Sequence, residues 1–149
     1  RVVMPHSPID ARDLLVASVL CDDPVIYIDD RWLYGLEERA TEVTEIDLRE
    51  VGPCIARRGS SVTLVGASYS TQLCLEAADL LASNGVSAEV IDLRVISPLD
   101  CRLLVESVRR TRRLVVVDGS WSTCGLAGEI IASVCERLEP GVLPQSLQE

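Results

Sequence analysis

Ser7–Val19 reads SPIDARDLLVASV and Ser97–Val108 reads SPLDCRLLVESV, almost the same phrase used twice in one chain. Each copy follows an apolar run (Arg1–Met4; Val90–Ile96) and precedes another that ends in aspartate (Val25–Asp29; Leu114–Asp118). Each therefore reads as strand, crossover helix, strand, and two parallel β-α-β units are implied. The phrase itself is helix-start chemistry. Ser7 or Ser97 serves as N-cap, Pro8 or Pro98 takes the first helical position, and Asp10 or Asp100 lies beside the unpaired amides at the positive dipole end. Nothing in it names a reaction.

The chain has 149 residues, enough for one domain with a substantial core or one domain plus a piece of another. Apolar residues make up 48% with no Phe, so the core must be built from aliphatic side chains. Net charge is −9 and every basic residue is Arg, which argues against a nucleic-acid partner. The one basic cluster, Arg109-Arg110-Thr111-Arg112-Arg113, sits at a predicted helix end, where it complements the dipole and solvates a turn. Six cysteines contain no C-x-x-C pair, and His6 is the sole histidine, so no zinc site is expected. Cys21, Cys74, Cys101 and Cys135 fall in helical patterns and read as small buried hydrophobes of a reducing compartment. No apolar run approaches the ~20 residues that span a bilayer. Arg1 opens in mid-strand, which points to a fragment.

From Arg31 to Gly52 the chain turns acidic (Glu37, Glu38, Glu42, Glu45, Asp47, Glu50) and loses periodicity, and it reads as a linker without helix or strand. Residues 1–30 then form one unit and 53–149 another. Cys54–Arg57 and Val62–Ala67 around Arg58-Gly59-Ser60-Ser61 read as a hairpin, with an antiparallel edge strand opening the second domain. After Val62–Ala67 come a helix from about Thr71 to Ser83, capped by Ser70 or Thr71 and ended by Asn84-Gly85, a strand Ala88–Leu93, the Ser97-capped helix, a strand Leu114–Asp118, and a last helix to about Leu138. The expected fold is α/β: a three-layer sandwich with a mostly parallel sheet and one antiparallel edge strand, preceded by a β-α-β remnant of a second α/β domain.

Candidate chemistry is sparse. The hydroxyl-rich loop Gly66–Thr71 lies where α/β folds bind phosphate, but it lacks both glycine-rich signatures, and helix capping accounts for it. Gly66-x-Ser68-x-Ser70 lacks the final glycine of a nucleophile elbow. Cys124 near a helix start and the pairs Asp22-Asp23 and Asp29-Asp30 read as structural, and His6 as a solvated imidazole. The loop Gly119–Gly125 is the best recognition candidate. Trp121 there is either a lid on the domain's own core or a subunit contact, with Gly125, Gly128 and Glu129 allowing close approach.

At these residues the chain resembles a family. Met4-Pro5-x-x-Pro8-x-Asp10-Ala11-x-x-Leu14-Leu15 followed by Asp23-Pro24-Val25-Ile26 is similar to the end of the pyrimidine-binding domain in β subunits of thiamine-diphosphate-dependent 2-oxo acid dehydrogenases of the pyruvate and branched-chain type. Glu89–Arg94, Ser97-Pro98-Leu99-Asp100, Ser107, Thr111, Arg113–Val117 and Gly128-Glu129-Ile130 resemble the transketolase-type C-terminal domain of the same subunits. Departures are Asp13 in place of the family's usual glycine, Asp29 or Asp30 in place of a glutamate, and a tail from Pro140 to Glu149 that lacks the family's final strand.

The resemblance implies oxidative decarboxylation of a 2-oxo acid, with acyl transfer to a lipoyl arm, by a complete enzyme that holds thiamine diphosphate and magnesium. It implies as partners an α subunit, a second β subunit and a dihydrolipoyl acyltransferase, in the cytoplasm of a bacterium or the mitochondrial matrix of a eukaryote. The family's pyrimidine-contacting glutamate and active-site histidine lie upstream of Met4, so no catalytic, cofactor-binding or metal residue is expected here. The segment's expected role is subunit assembly and acyltransferase docking, with Trp121, Gly125, Gly128 and Glu129 as contacts. The alternatives are the C-terminal domain of a transketolase or deoxyxylulose phosphate synthase, and a non-catalytic α/β interaction module.

Overall fold

A computed structural model describes residues 1–143. The first unit is β1 (Val2–Val3), α1 (Pro8–Leu20) and β2 (Ile26–Tyr27), with β1 and β2 parallel in the register Val2–Ile26 and Val3–Tyr27. The second contains β3 (Cys54–Arg57), β4 (Val62–Gly66), α2 (Tyr69–Ser83), β5 (Ala88–Asp92), β6 (Val95–Ser97), α3 (Arg102–Thr111), β7 (Leu114–Val116) and α4 (Leu126–Cys135). Its main sheet runs β3-β5-β4-β7, with β4, β5 and β7 parallel and β3 antiparallel at the edge. The expected sandwich and its antiparallel edge strand are both present.

Alternation along the central strands sets the layers. Val62 and Leu64 of β4, with Ala88 and Val90 of β5, pack on Cys74 and Ala78 of α2. Val65, Ile91 and Leu93 point the other way, onto Leu104, Val105 and Val108 of α3 and Ile130 and Val134 of α4. Period two in the strands thus places one helix layer on each face. The α3 face also holds a polar network: Thr63 Oγ1 lies 2.6 Å from Ser107 Oγ and 2.7 Å from Thr111 Oγ1, and Ser107 donates to the buried Glu89 carboxylate at 2.6 Å.

Several sequence expectations change. Cys54–Arg57 and Val62–Gly66 do not form a hairpin. Ser60 and Ser61 donate to the Ser87 carbonyl, and β5 lies between the two strands, because the β4-α2-β5 crossover takes the place beside β4. The apolar run Val90–Ile96 splits at Leu93-Arg94 into β5 and β6. β6 leaves the main sheet to pair antiparallel with β1 (Val2–Ser97, Val3–Val95), so the small sheet runs β2-β1-β6.

That pairing removes Ser97 from helix duty. α3 starts at Arg102, five residues after the serine, with Cys101 at its N-cap and no side-chain cap bond. At the first copy Ser7 caps α1 as expected and accepts from the Asp10 amide at 3.3 Å. α2 starts at Tyr69 after Ser68, so neither Ser70 nor Thr71 is the cap, and it ends at Asn84 with Gly85 at φ +75°. Cys74 and Cys101 are buried as expected, whereas Cys21 is half-buried and Cys135 is exposed.

The acidic stretch 31–52 carries one 3-10 turn, Arg31–Leu33, and no strand, yet it is tied down along its length. Glu38 accepts from the Ile9 amide at 2.8 Å, and Arg12 donates to the carbonyls of Thr41 and Glu42. Leu48, 1% exposed, completes the first unit's core with Val3, Leu14, Ala17 and Val95. The basic cluster at the end of α3 is spent on the chain itself: Arg110 pairs with Glu89, Arg109 with Glu139, and Arg112 with the Gly141 carbonyl. The part of the tail expectation that falls on residues 144–149 lies outside the described residues.

Candidate functional site

A cleft of about 440 Å³ opens at the carboxyl ends of the parallel strands. Gly66 and Ala67 follow β4, Leu93 follows β5, and Val117 and Asp118 follow β7; Met4 and Asp30 come from the first unit, and Ser120, Cys124–Leu126 and Ile130 close the far wall. This is the edge where open α/β sheets place ligands. Its walls are apolar apart from Ser70, Ser120, the Cys124 thiol and the carboxylates of Asp30 and Asp118, and no basic side chain lines it.

Asp118 organises the recognition loop. Its carboxylate accepts from the Ser120 amide at 3.0 Å, the Ser120 hydroxyl at 2.7 Å and the Ala127 amide at 2.9 Å. α4 has the side-chain-less Gly125 at its N-cap, so Asp118 supplies the missing anion from nine residues upstream of Ala127. Burial alone would raise its pKa; the Ser120 hydroxyl and the amides of Ala127, Ser120 and Leu126 outweigh it and hold the carboxyl below the usual range. The sequence reading took Asp118 only as a strand end. The signal was an aspartate followed by a glycine-rich turn into a helix with no capping side chain of its own.

The loop held this way carries Trp121, 81% exposed, so the lid alternative is excluded. Gly125 is needed for close approach: a Cβ there would lie 2.5 Å from the Trp121 carbonyl oxygen. Gly128 and Glu129 are exposed on the first turn of α4, with Glu129 accepting from Ser133 at 3.1 Å. Across the chain, Trp32 of the 3-10 turn is also exposed and stacks on Tyr69 at the start of α2, with centroids 5.9 Å apart.

His6 is not a solvated imidazole. Its Nδ1 lies 2.9 Å from Asp92 Oδ2 and 3.7 Å from Asp10 Oδ2, at the junction of the two units. Burial lowers its pKa, but the Asp10 and Asp92 carboxylates prevail and raise it to about 9. Arg94, at φ +59° in the break between β5 and β6, donates from Nε to Asp10 Oδ1 at 2.9 Å. Asp92 is fully buried and accepts from the Thr71 hydroxyl at 2.6 Å. Sequence reasoning missed the group because its members are up to 88 positions apart, and only the β1–β6 pairing brings Arg94 back to α1. Beside it, burial first and then the Asp92 charge push the Cys54 thiol up to about 11.

Comparison with known proteins agrees with this architecture. Residues 54–144 match the model of the transketolase C-terminal domain. The chain belongs to that family. It is 38% identical over 141 residues to the pyruvate dehydrogenase E1 component subunit beta, mitochondrial, of Dictyostelium discoideum, a match that covers 92% of this chain and 39% of that protein. It is 40% identical over 138 residues to the acetoin:2,6-dichlorophenolindophenol oxidoreductase subunit beta of Cupriavidus necator, covering 92% of this chain and 40% of that one. A solved structure titled "Split gene transketolase, inactive beta4 tetramer" superposes with a TM-score of 0.77 at 27% identity, covering 93% of this chain and 45% of its own. The chain thus spans about two fifths of the length of the curated relatives.

Proposed function

We propose that the complete protein is the β subunit of a thiamine-diphosphate-dependent dehydrogenase acting on a pyruvate-like 2-oxo acid, and that residues 1–149 serve its assembly. The observation that carries this reading is the continuity of the match. It runs through the crossover unit, the acidic stretch and the C-terminal domain in one order, over 92% of the chain, at 38% to 40% identity to dehydrogenase-type β subunits. The more distant likeness to a split transketolase supports the fold more than its reaction.

No basic side chain lines the cleft to pair directly with a diphosphate, and its charged groups are the carboxylates of Asp30 and Asp118. The catalytic and cofactor-binding groups are therefore assigned to the remainder of the protein and to its partners: an α subunit, a second β subunit, and a dihydrolipoyl acyltransferase that receives the acyl group. Exposed Trp121, with Gly125, Gly128 and Glu129 beside it, is the proposed contact surface, since a large aromatic side chain on a braced loop is a typical interface anchor. The relatives include mitochondrial and bacterial proteins, and among the described residues no helix is long and apolar enough to cross a membrane.

A second reading, oxidation of acetoin by the same chemistry, is favoured by the 40% identity to the acetoin-type β subunit. Reconstituting the full-length protein with its α subunit, thiamine diphosphate and magnesium, and following dye reduction with pyruvate, branched 2-oxo acids and acetoin, tests both. Turnover of a 2-oxo acid supports the first, turnover of acetoin alone supports the second, and turnover of neither overturns the dehydrogenase reading. Calorimetry of the isolated segment with thiamine diphosphate and magnesium is expected to show no binding.

A further inference from the structure

The junction of the two units gathers three donor atoms, His6 Nδ1, Asp10 Oδ2 and Asp92 Oδ2, that have no hydrogen-bond partner among the described residues. His6, Asp10 and Asp92 each offer one ligand atom within 4.8 Å of the other two, and His6 Nδ1 lies 2.9 Å from Asp92 Oδ2 and 3.7 Å from Asp10 Oδ2. They come from the loop before α1, the first turn of α1 and the last residue of β5. Each carboxylate is already oriented through its other oxygen, Asp92 Oδ1 by the Thr71 hydroxyl at 2.6 Å and Asp10 Oδ1 by Arg94 Nε at 2.9 Å. Gln72 fixes the histidine loop by donating to the His6 carbonyl at 2.9 Å. The three inward atoms themselves are buried and make no aligned hydrogen bond, and Asp92 is fully buried.

Bare inner donors whose outer atoms are held by orienting partners are the arrangement of a metal centre. A tetrahedral ion with bonds of about 2.0–2.1 Å sets its donors roughly 3.3 Å apart. The separations from Nδ1, 2.9 and 3.7 Å, bracket that value. An ion cluster alone explains the contacts less well, because it leaves two buried carboxylate oxygens sharing one imidazolium N–H, with neither aligned to it.

We propose that His6 Nδ1, Asp10 Oδ2 and Asp92 Oδ2 bind a divalent transition cation of the Zn²⁺ class, which joins α1 to the end of β5. On binding, the Nδ1 proton leaves to solvent, the freed lone pair goes to the metal, and water fills the fourth position. One imidazole with two carboxylates suits zinc, cobalt or manganese, whereas magnesium prefers an all-oxygen shell. The Arg94 guanidinium, on the outer side of Asp10, opposes the ion by like charge and limits affinity. This revises the expectation, drawn from a single histidine, that the chain holds no metal.

The full-length protein, stripped with chelator and kept in excess magnesium, is titrated with Co²⁺ alone while visible absorption is followed, and Zn²⁺ is then added as competitor. The expected result is one Co²⁺ displaced by Zn²⁺, affinity at least tenfold weaker in folded His6→Gln and Asp92→Asn, and tighter binding in Arg94→Gln. Cobalt binding that His6→Gln leaves intact, or no binding by the wild-type protein, overturns the proposal and leaves an ion cluster only. Where the variants fail to fold, the wild-type melting temperature decides: a rise with equimolar Zn²⁺ that magnesium does not reproduce supports the site, and no rise overturns it.

Discussion

The two SP-x-D segments share a phrase and adopt different structures. At Ser7–Asp10 the serine caps a helix that begins at the next residue, and the aspartate reaches across to Arg94 in the other unit. At Ser97–Asp100 the serine ends a strand, the helix waits until Arg102, and the aspartate binds its near neighbour Arg102 on the surface. The phrases nevertheless converge seven residues after the serine, where Leu14 and Leu104 are both fully buried. A capping motif thus offers a helix start, and strand pairing decides whether the offer is taken. β6 has a partner in β1, and its backbone hydrogen bonds outweigh what one serine cap of about 1 kcal/mol supplies.

The convergence is broken first at its shared point. Leu14→Ala and Leu104→Ala should each lose about 3–5 kcal/mol of unfolding free energy in denaturant titrations. If one costs under about 1 kcal/mol, the two positions are not equivalent. Next in size is the hydroxyl network Ser107–Thr63–Thr111, which α3 carries onto buried Glu89. Glu89→Gln should cost about 2–3 kcal/mol by the same measurement, since Ser107 and Arg110 both lose a charged acceptor.

The two aspartates should separate clearly. Asp10→Asn, which leaves Arg94 and His6 short of a buried partner, is expected to cost about 2 kcal/mol, and Asp100→Asn at the surface less than about 0.5 kcal/mol. Only the first segment should respond to alkaline pH. His6 is raised from 6.5 to about 9, so its contribution is present in full below pH 6.5 and is lost as pH rises through about 9. Melting temperatures in the presence of chelator should fall over that window in the wild type and stay flatter in His6→Gln. The smallest expected effect returns to the caps: Ser7→Ala should cost about 1 kcal/mol and Ser97→Ala close to nothing, because only Ser7 accepts a helical amide. Equal losses would mean that Ser97 has a capping role outside the described geometry.

Much of this was legible along the chain. The order of strands and helices after Val62, the antiparallel edge, and the helix end at Asn84-Gly85 follow from apolar periodicity and turn chemistry, which are local. The recognition loop was located at Gly119–Gly125, but its brace, Asp118, was hidden because a carboxylate at a strand end looks solvated until the helix it caps has been placed. The buried Glu89 was also hidden, since its partners Ser107 and Arg110 lie 18 and 21 residues further on, in α3.

The sequence by itself determined the class of fold and the family through its ordered motifs, because both depend on residue type and short spacing. Only the tertiary structure decided which SP-x-D copy starts a helix, where the run Val90–Ile96 divides, and that His6, Asp10, Asp92 and Arg94 meet. Those outcomes depend on contacts between residues tens of positions apart, and the free energy of such contacts is set by the partner each group finds rather than by its neighbours in the chain.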